Sequence, residues 1–429
     1  MEDRKDLTWS IVIRNAESSH CLFRPTKCQK APHDRFVLDL PIEDDNENME
    51  VASDEETEVQ PWLNDTEFLQ KYRMSRKNFD KILLRIKVHN VFKKLEGRSG
   101  RPQTPVAHQL MVFLKMLGTE GAGANGPNQR NTFMIGKGTS TVFSRRVTEA
   151  ILSMREEFYN WPDAEERKKL ARIAFEDCGL PHVVGIADGT LFPLAFEPES
   201  VDAPDYSGRK YGYSLTTMIV CDYNKKIRYY LAGFPGCAHD NRVCNATGFV
   251  KHPNDCFADM ECNIGDSAFE NSPYMVSSFR KGKGETLVED HEKFNTKLAI
   301  VRIRSEHCIG ILKGRFPWLR SIRMKVTDDP KSVKLILRLI DATVILHNML
   351  IEFGEEEKEE WIDYEDFSDY DDELRAPFRE DDVLNRSIAA AAPKDTRRKQ
   401  LLRCFKENVF HQTRTQSLEI VYRFTFRCF

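Results

Sequence analysis

The sequence predicts an α/β protein in which a mixed sheet flanked by helices follows a smaller all-helical domain. Between residues 61 and 160, apolar residues recur mainly at helical spacing. Between 181 and 350, short β-rich apolar runs alternate with helical patterns, which is typical of a sheet covered by helices. At 429 residues the chain has ample material for a large buried core.

These patterns divide the chain into four segments. We predict a disordered acidic N-terminal arm at 1–60 and a helical domain at 61–160. The sheet domain occupies 161–351, and an acidic linker with a disordered C-terminal tail occupies 352–429. Eleven scattered cysteines form no zinc-finger spacing, and no apolar run is long enough to span a membrane. We therefore expect a reduced, soluble, intracellular protein with no membrane contact.

Charge is distributed very unevenly along the chain. Residues 43–58 carry nine acidic side chains and no basic one, and residues 352–373 carry thirteen against a single lysine. Since the whole chain has a formal charge of −4, the remaining residues carry +17. A basic folded part suits a polyanionic partner such as DNA. The acidic segments fit equally well as solubilising linkers or as elements that bind a partner or shield the basic surface.

Capping residues and periodicity place four helices in the helical domain. Asp65 or Thr66 is predicted to cap the first helix and Ser75 the second. An apolar third helix begins near His108, and a fourth begins near Thr139 after a glycine-containing turn.

The fourth helix could be the recognition helix of a helix-turn-helix, with polar and basic side chains offered to a DNA groove. These side chains are Ser140, Thr141, Ser144, Arg145 and Arg146. A helical packing domain that touches no nucleic acid gives the same pattern, and the sequence favours neither interpretation. If the helix is a recognition helix, Arg145 and Arg146 are DNA contacts.

The sheet domain begins after a charged helix at about 163–175. The run PHVVGIADGT predicts a buried strand that ends at Asp188 and Gly189, where the glycine would allow a tight exit. Two β-rich runs at 213–221 and 227–234, separated by a polar turn, predict a hairpin.

Further carboxylates follow the hairpin. Asp240 is predicted to cap a helix after a Pro-Gly break, and the run NIGDSAF predicts a short strand that ends at Asp266. A long helix follows, with Glu306 beside its inward stripe and near Arg302; an apolar helix at 333–350 closes the domain. The stripe consists of Phe294, Leu298, Val301, Cys308 and Leu312.

Acids so far apart in sequence converge only if the strands that carry them are neighbours in one sheet. A ribonuclease-H-like fold brings such carboxylates to one edge of a mixed sheet. Carboxylates without cysteine are the ligands that Mg²⁺ or Mn²⁺ prefers. Taken singly, each acid also has a structural role: Asp240 as a cap, Asp188 as a turn residue and Glu306 as a partner for Arg302.

Five ordered blocks give the chain a family resemblance. The blocks are DGTLFPLAFEP, YSGRKYGYSLTTMIVCD, LAGFPGCAHDNRV, IGDSAFENSPYM and FNTKLAIVRIRSEHCIGILKGRFPWL. In this order they resemble the DDE-type nuclease domain of PIF/Harbinger transposases and Harbinger-derived nucleases. The resemblance implies that Asp188, Asp266 and Glu306 are catalytic, and that Asp240 is a further metal ligand. Spacing leaves open whether Asp240 or Asp266 completes the triad, but placement at the end of a strand favours Asp266.

The long helix and the turn after it supply a basic surface. Residues 297–325 contain eight Lys or Arg residues and a single acid, Glu306. Some of these cations should contact DNA phosphates. The predicted DNA contacts in the sheet domain are Arg209, Lys210, Arg302, Lys313 and Arg315.

We therefore predict a metal-dependent DNA endonuclease or transposase that uses Mg²⁺ or Mn²⁺, cleaves DNA by water attack and joins 3′-hydroxyl ends to target DNA. The resemblance further implies a nuclear location and a Myb-like DNA-binding partner; the sequence defines no oligomeric state. The alternative is a catalytically inactive relative that binds DNA or protein.

Overall fold

The computed structural model describes most of the chain from residue 63 onward. The described ranges are 63–93, 103–121, 126–136, 138–208, 212–258, 260–280, 286–355, 361 and 397–404. The predicted acidic arm at 1–60 and most of the predicted linker and tail at 352–429 lie outside these ranges.

Within the described ranges, six helices precede the sheet domain, and a seventh leads into it. They are α1 (Asp65–Tyr72), α2 (Arg76–Ile86), α3 (Val106–Leu117), α4 (Gly126–Phe133), α5 (Thr139–Leu152), α6 (Arg155–Phe158) and α7 (Ala164–Cys178). Ser75 caps α2 as predicted. The predicted cap of α1 is wrong, because Asn64 forms a reciprocal capping box with Glu67 and the helix has already begun at Asp65.

The sheet domain contributes six strands and five helices. The strands are β1 (Val183–Pro193), β2 (Ser207–Gly208), β3 (Gly212–Cys221), β4 (Ile227–Pro235), β5 (Cys262–Gly265) and β6 (Met275–Ser277). The helices are α8 (Asp240–Asn245), α9 (Gly248–Lys251), α10 (Pro253–Cys256), α11 (Glu289–Arg315) and α12 (Pro330–Glu352). The hairpin, the long helix and the closing apolar helix are confirmed.

The sheet is mixed, with strand order β4-β3-β1-β5-β6. Strand β1 pairs antiparallel with β3 on one side and parallel with β5 on the other. Helices α11 and α12 pack on one face through a core that contains Ile186, Leu298 and Ile340. Helices α8 to α10 cover the other face through a core that contains Ala187 and Phe249. This arrangement is consistent with the predicted ribonuclease-H-like fold.

The helical segment is joined to the sheet domain by a shared core. Phe68 and Phe79 of the first two helices belong to the same buried cluster as the α11 and α12 side chains. Helix α5 packs against both α3 and α12. The two predicted domains therefore share one hydrophobic interior, and α12 is the element that connects them.

The end of β1 differs from the sequence expectation. The strand continues past Asp188 and Gly189 to Pro193, because β3 keeps pairing with it over this whole length. Gly189 is required for another reason: a Cβ there would lie 2.3 Å from Asp240 Oδ1. The glycine thus admits a neighbouring carboxylate and does not end the strand.

Part of the predicted C-terminal tail is ordered. Residues 397–404 are helical, and Leu401 and Leu402 are buried in the core. Arg397 Nε donates a hydrogen bond to the Pro273 carbonyl oxygen at 2.9 Å. The expectation of disorder is therefore wrong for this short helix, since its apolar side chains have a surface to bury against.

No helix within the described ranges combines the length and apolar character needed to cross a membrane.

A buried ion pair closes the β3–β4 turn. Asp222 Oδ1 accepts hydrogen bonds from the backbone N–H groups of Asn224 at 2.8 Å and Lys226 at 3.1 Å. Its Oδ2 accepts from Arg228 Nε at 2.7 Å, and the Asp222 side chain is fully buried. The Asp222 carboxylate thus accepts hydrogen bonds from both the turn backbone and the Arg228 guanidinium.

We predict that Asp222→Ala lowers the free energy of unfolding by about 3 kcal/mol or more, because it leaves the buried Arg228 charge without this partner. Chemical denaturation measures the change. Asp65→Ala is the matched control, because Asp65 also pairs with an arginine but its side chain is 91% exposed. Equal losses in the two variants would contradict the importance of the buried pair.

Candidate active site

Asp188 lies in the middle of β1. It is paired opposite Ile219 of β3 and is only 2% exposed. The Gly189 backbone N–H donates a hydrogen bond to Asp188 Oδ1 at 2.9 Å. Because β3 pairs with β1 on through Asp188 and β5 pairs with it up to Ile186, the sheet fixes the position of this carboxylate.

Asp266 lies beside Asp188 at the end of the neighbouring strand. Ile186 of β1 pairs with Ile264 of β5, and each carboxylate follows its paired isoleucine by two residues. The parallel register therefore places Asp188 and Asp266 at the same level of the sheet. The Ala268 N–H donates to Asp266 Oδ1 at 2.9 Å.

Side-chain alternation determines which face each acid occupies. Ile186 and Phe192 of β1 belong to the core beneath α11 and α12. Asp188 has the same parity in the strand and therefore points toward the same face. Gly265, next to Asp266, faces Phe269 in the opposite core. Asp266 consequently shares the α11 face with Asp188.

Glu306 approaches this face from α11. Helix α11 packs on β1, β3 and β5, with the predicted stripe from Phe294 to Leu312 buried against them. Arg302 lies one helical turn before Glu306, and its Nη2 is 3.9 Å from Glu306 Oε1. The Glu306 carboxylate is therefore accompanied by a cation on the helix that covers this face of the sheet.

Asp240 occupies the other face of the sheet. Its carboxylate contacts the position where a Gly189 Cβ would be, and that direction is opposite to the Asp188 side chain. It is also the first residue of α8 and not its cap, which is His239. The prediction that Asp240 caps the helix is wrong, and its role as a further metal ligand stays a prediction.

Burial raises the pKa of two site carboxylates. Burial is the main cause for Asp266 and for Glu306, and the Arg302 guanidinium opposes the rise at both. Arg280 also lowers the Asp266 pKa, a contribution that nothing in the sequence indicated. The site is therefore an electrostatically costly group of acids that favours a nearby positive charge.

Oxygen donors of this kind fit a hard divalent cation in their chemistry. However, among the described residues no three His, Cys, Asp or Glu side chains lie close enough together to hold a metal ion. The parallel register brings Asp188 and Asp266 side by side on the face that α11 covers, but the carboxylates of these two residues and Glu306 are not arranged as a ready three-ligand site.

Of the predicted DNA contacts in the sheet domain, Arg302 lies beside Glu306 with its side chain only 12% exposed. Arg209 and Lys210 lie outside the described residues. Lys313 and Arg315 are buried, at 6% and 1% exposure, so they offer no open surface to a phosphate. The end of α11 is enclosed: the Trp361 carbonyl oxygen lies where a Gly314 Cβ would be.

The predicted groove-reading face of α5 is only partly exposed. Ser140 and Ser144 are buried, whereas Thr141 and Arg145 are exposed and Arg146 is half-buried. The buried serines belong to the packing face of the helix. A DNA contact by this helix would therefore depend on its arginines and Thr141.

Comparison with known proteins identifies the sheet domain. The profile of the DDE superfamily endonuclease family matches residues 187–348, which contain all four predicted acids. This part of the chain is a DDE superfamily endonuclease domain. The match thus includes β1 from Ala187, just before Asp188, and ends near the end of α12.

Named relatives agree with this assignment at modest identity. "Protein ALP1-like" from Arabidopsis thaliana is 24% identical over 310 residues, which cover 67% of this chain and 71% of the relative. "Putative nuclease HARBI1" from Mus musculus is 22% identical over 209 residues, covering 48% and 57%. The human HARBI1 protein is 24% identical over 210 residues, with the same coverage.

The alignments to HARBI1 thus span little more than half the length of those relatives. No solved structure matches the chain. The predicted Harbinger-type resemblance is confirmed by the ALP1-like and HARBI1 matches.

We predict that Asp266→Asn stabilises the metal-free protein at about pH 7. The fold raises the pKa of Asp266 above its ordinary 3.8, so the folded state keeps this proton at pH values where the unfolded chain has released it. Stability is therefore lost as pH rises from about 3.8 through the raised pKa. Asparagine cannot ionise and keeps an acceptor for the Ala268 N–H.

Thermal unfolding in EDTA as a function of pH measures this effect. The Tm advantage of the variant should vanish toward about pH 3.5, where the parent Asp266 is also protonated. Asp163→Asn changes an exposed helix cap and is the control. A variant that is less stable than the parent at neutral pH would contradict the assigned cost of burial.

We also predict the outcome for the α5 arginine if this helix binds DNA. Arg145→Ala should weaken DNA affinity and reduce the slope of log K against log salt by about 1, the loss expected for one phosphate contact. Arg172→Ala, an exposed arginine on α7, is the control. Unchanged affinity and slope for Arg145→Ala would leave α5 as a packing helix.

Proposed function

We propose that the chain is a metal-dependent DNA endonuclease in which Asp188, Asp266 and Glu306 are the catalytic carboxylates. One observation carries the proposal: the parallel register of β1 and β5 sets Asp188 and Asp266 side by side on the face covered by α11, the helix that carries Glu306. The DDE superfamily endonuclease match and the nuclease named among the relatives support the reaction class.

The proposed roles follow from where each acid is held. Asp188 lies within the stretch of β1 that pairs with β3, two residues after the last pair with β5, so it would provide the rigid ligand of the site. Asp266 lies at a strand end and would provide a second oxygen beside it. Glu306 extends from a helix and can change its side-chain rotamer without disturbing the sheet, so it would close the site over the strands.

Mg²⁺ or Mn²⁺ bound by these carboxylates would activate water and stabilise the charge that develops on a phosphodiester. The residues must bring their oxygens closer together for this, because the described side chains do not form a three-ligand group. Burial of Asp188 and Asp266 keeps competing water away and strengthens their interaction with a cation.

We extend the proposal to a transposase-type reaction in which freed 3′-hydroxyl ends attack target DNA at the same site. The basic charge that remains after the acidic segments are set aside supports a nucleic-acid substrate. A nuclear location and a Myb-like DNA-binding partner belong to this proposal. Arg145, on the exposed side of α5, is the DNA contact most open to a substrate.

A second candidate is a catalytically inactive DNA- or protein-binding module. Two observations favour it: the described residues contain no three-ligand group, and Arg302 already provides a positive charge beside Glu306. The nuclease remains the first proposal, because relatives of this chain are named as nucleases. Nicking of a supercoiled plasmid with Mg²⁺ or Mn²⁺, with and without EDTA, distinguishes the two.

We predict that Asp188→Asn, Asp266→Asn and Glu306→Gln each reduce metal-dependent nicking about 100-fold or more, since each removes a charge that holds the cation. Asp240→Asn should have a smaller effect, because Asp240 lies on the other face of β1. Asp255→Asn, an exposed acid on α10, is the matched control.

Circular dichroism of each variant verifies folding. Full nicking activity in folded Asp188→Asn would refute the catalytic assignment. Loss of activity in Asp240→Asn as complete as in the three others would show that the metal site spans both faces of the strand.

A further inference from the structure

Arg302 is placed among the acids and not on an open surface. It lies on α11 one turn before Glu306, and the Nη2 to Oε1 distance of 3.9 Å makes this an ion pair without a direct hydrogen bond between the two atoms. The two side chains are only 12% and 20% exposed. A charge pair at this depth is less screened by solvent than a surface pair.

The same guanidinium also acts on a second acid. It opposes the burial-induced rise in the pKa of Asp266, which lies at the end of β5. One cation thus balances two carboxylates that come from different elements, a strand end and a helix. This position differs from that of a typical phosphate-binding arginine, which projects from the surface.

Arg304 provides the contrast within the same helix. Its guanidinium lies 3.6 Å from Asp177 of α7 and 4.1 Å from the centre of the Tyr223 ring. Its side chain is 37% exposed. Two arginines separated by one residue therefore face different surroundings, and Arg302 is the one directed at the acids.

We propose that Arg302 is a positioning residue that serves as the internal counter-ion of the metal-free site, balancing Asp266 and Glu306 until a divalent cation takes over that role. This rests on the proposed function, in which the site binds such a cation. Arg302 then holds Glu306 through their ion pair and competes with the cation for the negative potential of the same carboxylates.

Two opposite consequences follow from removing this charge. In the absence of metal, the acids lose their counter-ion and repel one another, so the fold becomes less stable. In the presence of metal, the cation no longer competes with a guanidinium, so it binds more tightly. If Arg302 had only a structural role, its removal would lower the stability of the metal-free protein without tightening metal binding.

The test compares Arg302→Gln, Arg302→Lys and the matched control Arg304→Gln in the full chain. Thermal unfolding is measured in EDTA and in Mn²⁺, and Mn²⁺ affinity is measured by titration calorimetry. We expect Arg302→Gln to have the lowest Tm in EDTA and the largest rise in Tm with Mn²⁺. Its Mn²⁺ affinity should be tighter than that of the parent by about fivefold to tenfold. Arg302→Lys and Arg304→Gln should stay near the parent.

An unchanged or weaker Mn²⁺ affinity in Arg302→Gln overturns the counter-ion role. If that variant fails to fold, the double variant Arg302→Gln with Glu306→Gln is tested in EDTA. Recovery of folding in the double variant supports the counter-ion role, and no recovery overturns it.

A parent chain that binds no Mn²⁺ overturns the proposed function instead. In that case the EDTA measurements alone decide, and equal Tm values for Arg302→Gln and Arg304→Gln overturn the inference.

Discussion

The position of the site depends on one constraint, the pairing of β1 on both of its edges. Antiparallel pairing with β3 and parallel pairing with β5 leave the strand no freedom to twist its side chains to other faces. Because successive side chains of a strand point to opposite faces, Asp188 points toward α11. On the opposite face, the missing side chain of Gly189 leaves room for the Asp240 carboxylate. A shift of one residue in this register would exchange the two faces and separate Asp188 from Asp266.

This constraint has an energetic cost, because it buries carboxylates inside the sheet domain. Asp188 and Asp266 are almost fully buried, and ionised groups in such positions destabilise a fold unless they are hydrogen-bonded or paired. Local compensation comes from backbone N–H groups and from Arg302. The burial-raised pKa values of Asp266 and Glu306 show that the compensation is incomplete. Such a site favours binding of further positive charge.

Much of the fold was predictable because periodicity identifies buried faces. The stripe along α11 and the β3–β4 hairpin were predicted on that basis, and each packs as expected. Glycine was harder to interpret, since Gly189 looks the same in sequence whether it ends a strand or admits a carboxylate. The burial of Lys313 and Arg315 was also missed, because it depends on chain segments distant in sequence, such as Trp361.

The proposed active site requires that Asp188, Asp266 and Glu306 together hold divalent cations on the α11 face of the sheet. A crystal of the full chain soaked in Mn²⁺, with anomalous scattering recorded, shows where the metal binds. We expect anomalous peaks within coordination distance of all three carboxylates, about 2.1–2.3 Å from their oxygens, and none bound by Asp240 alone. Manganese bound only on the Asp240 face, or the absence of manganese at Asp188, Asp266 and Glu306, would contradict this metal site.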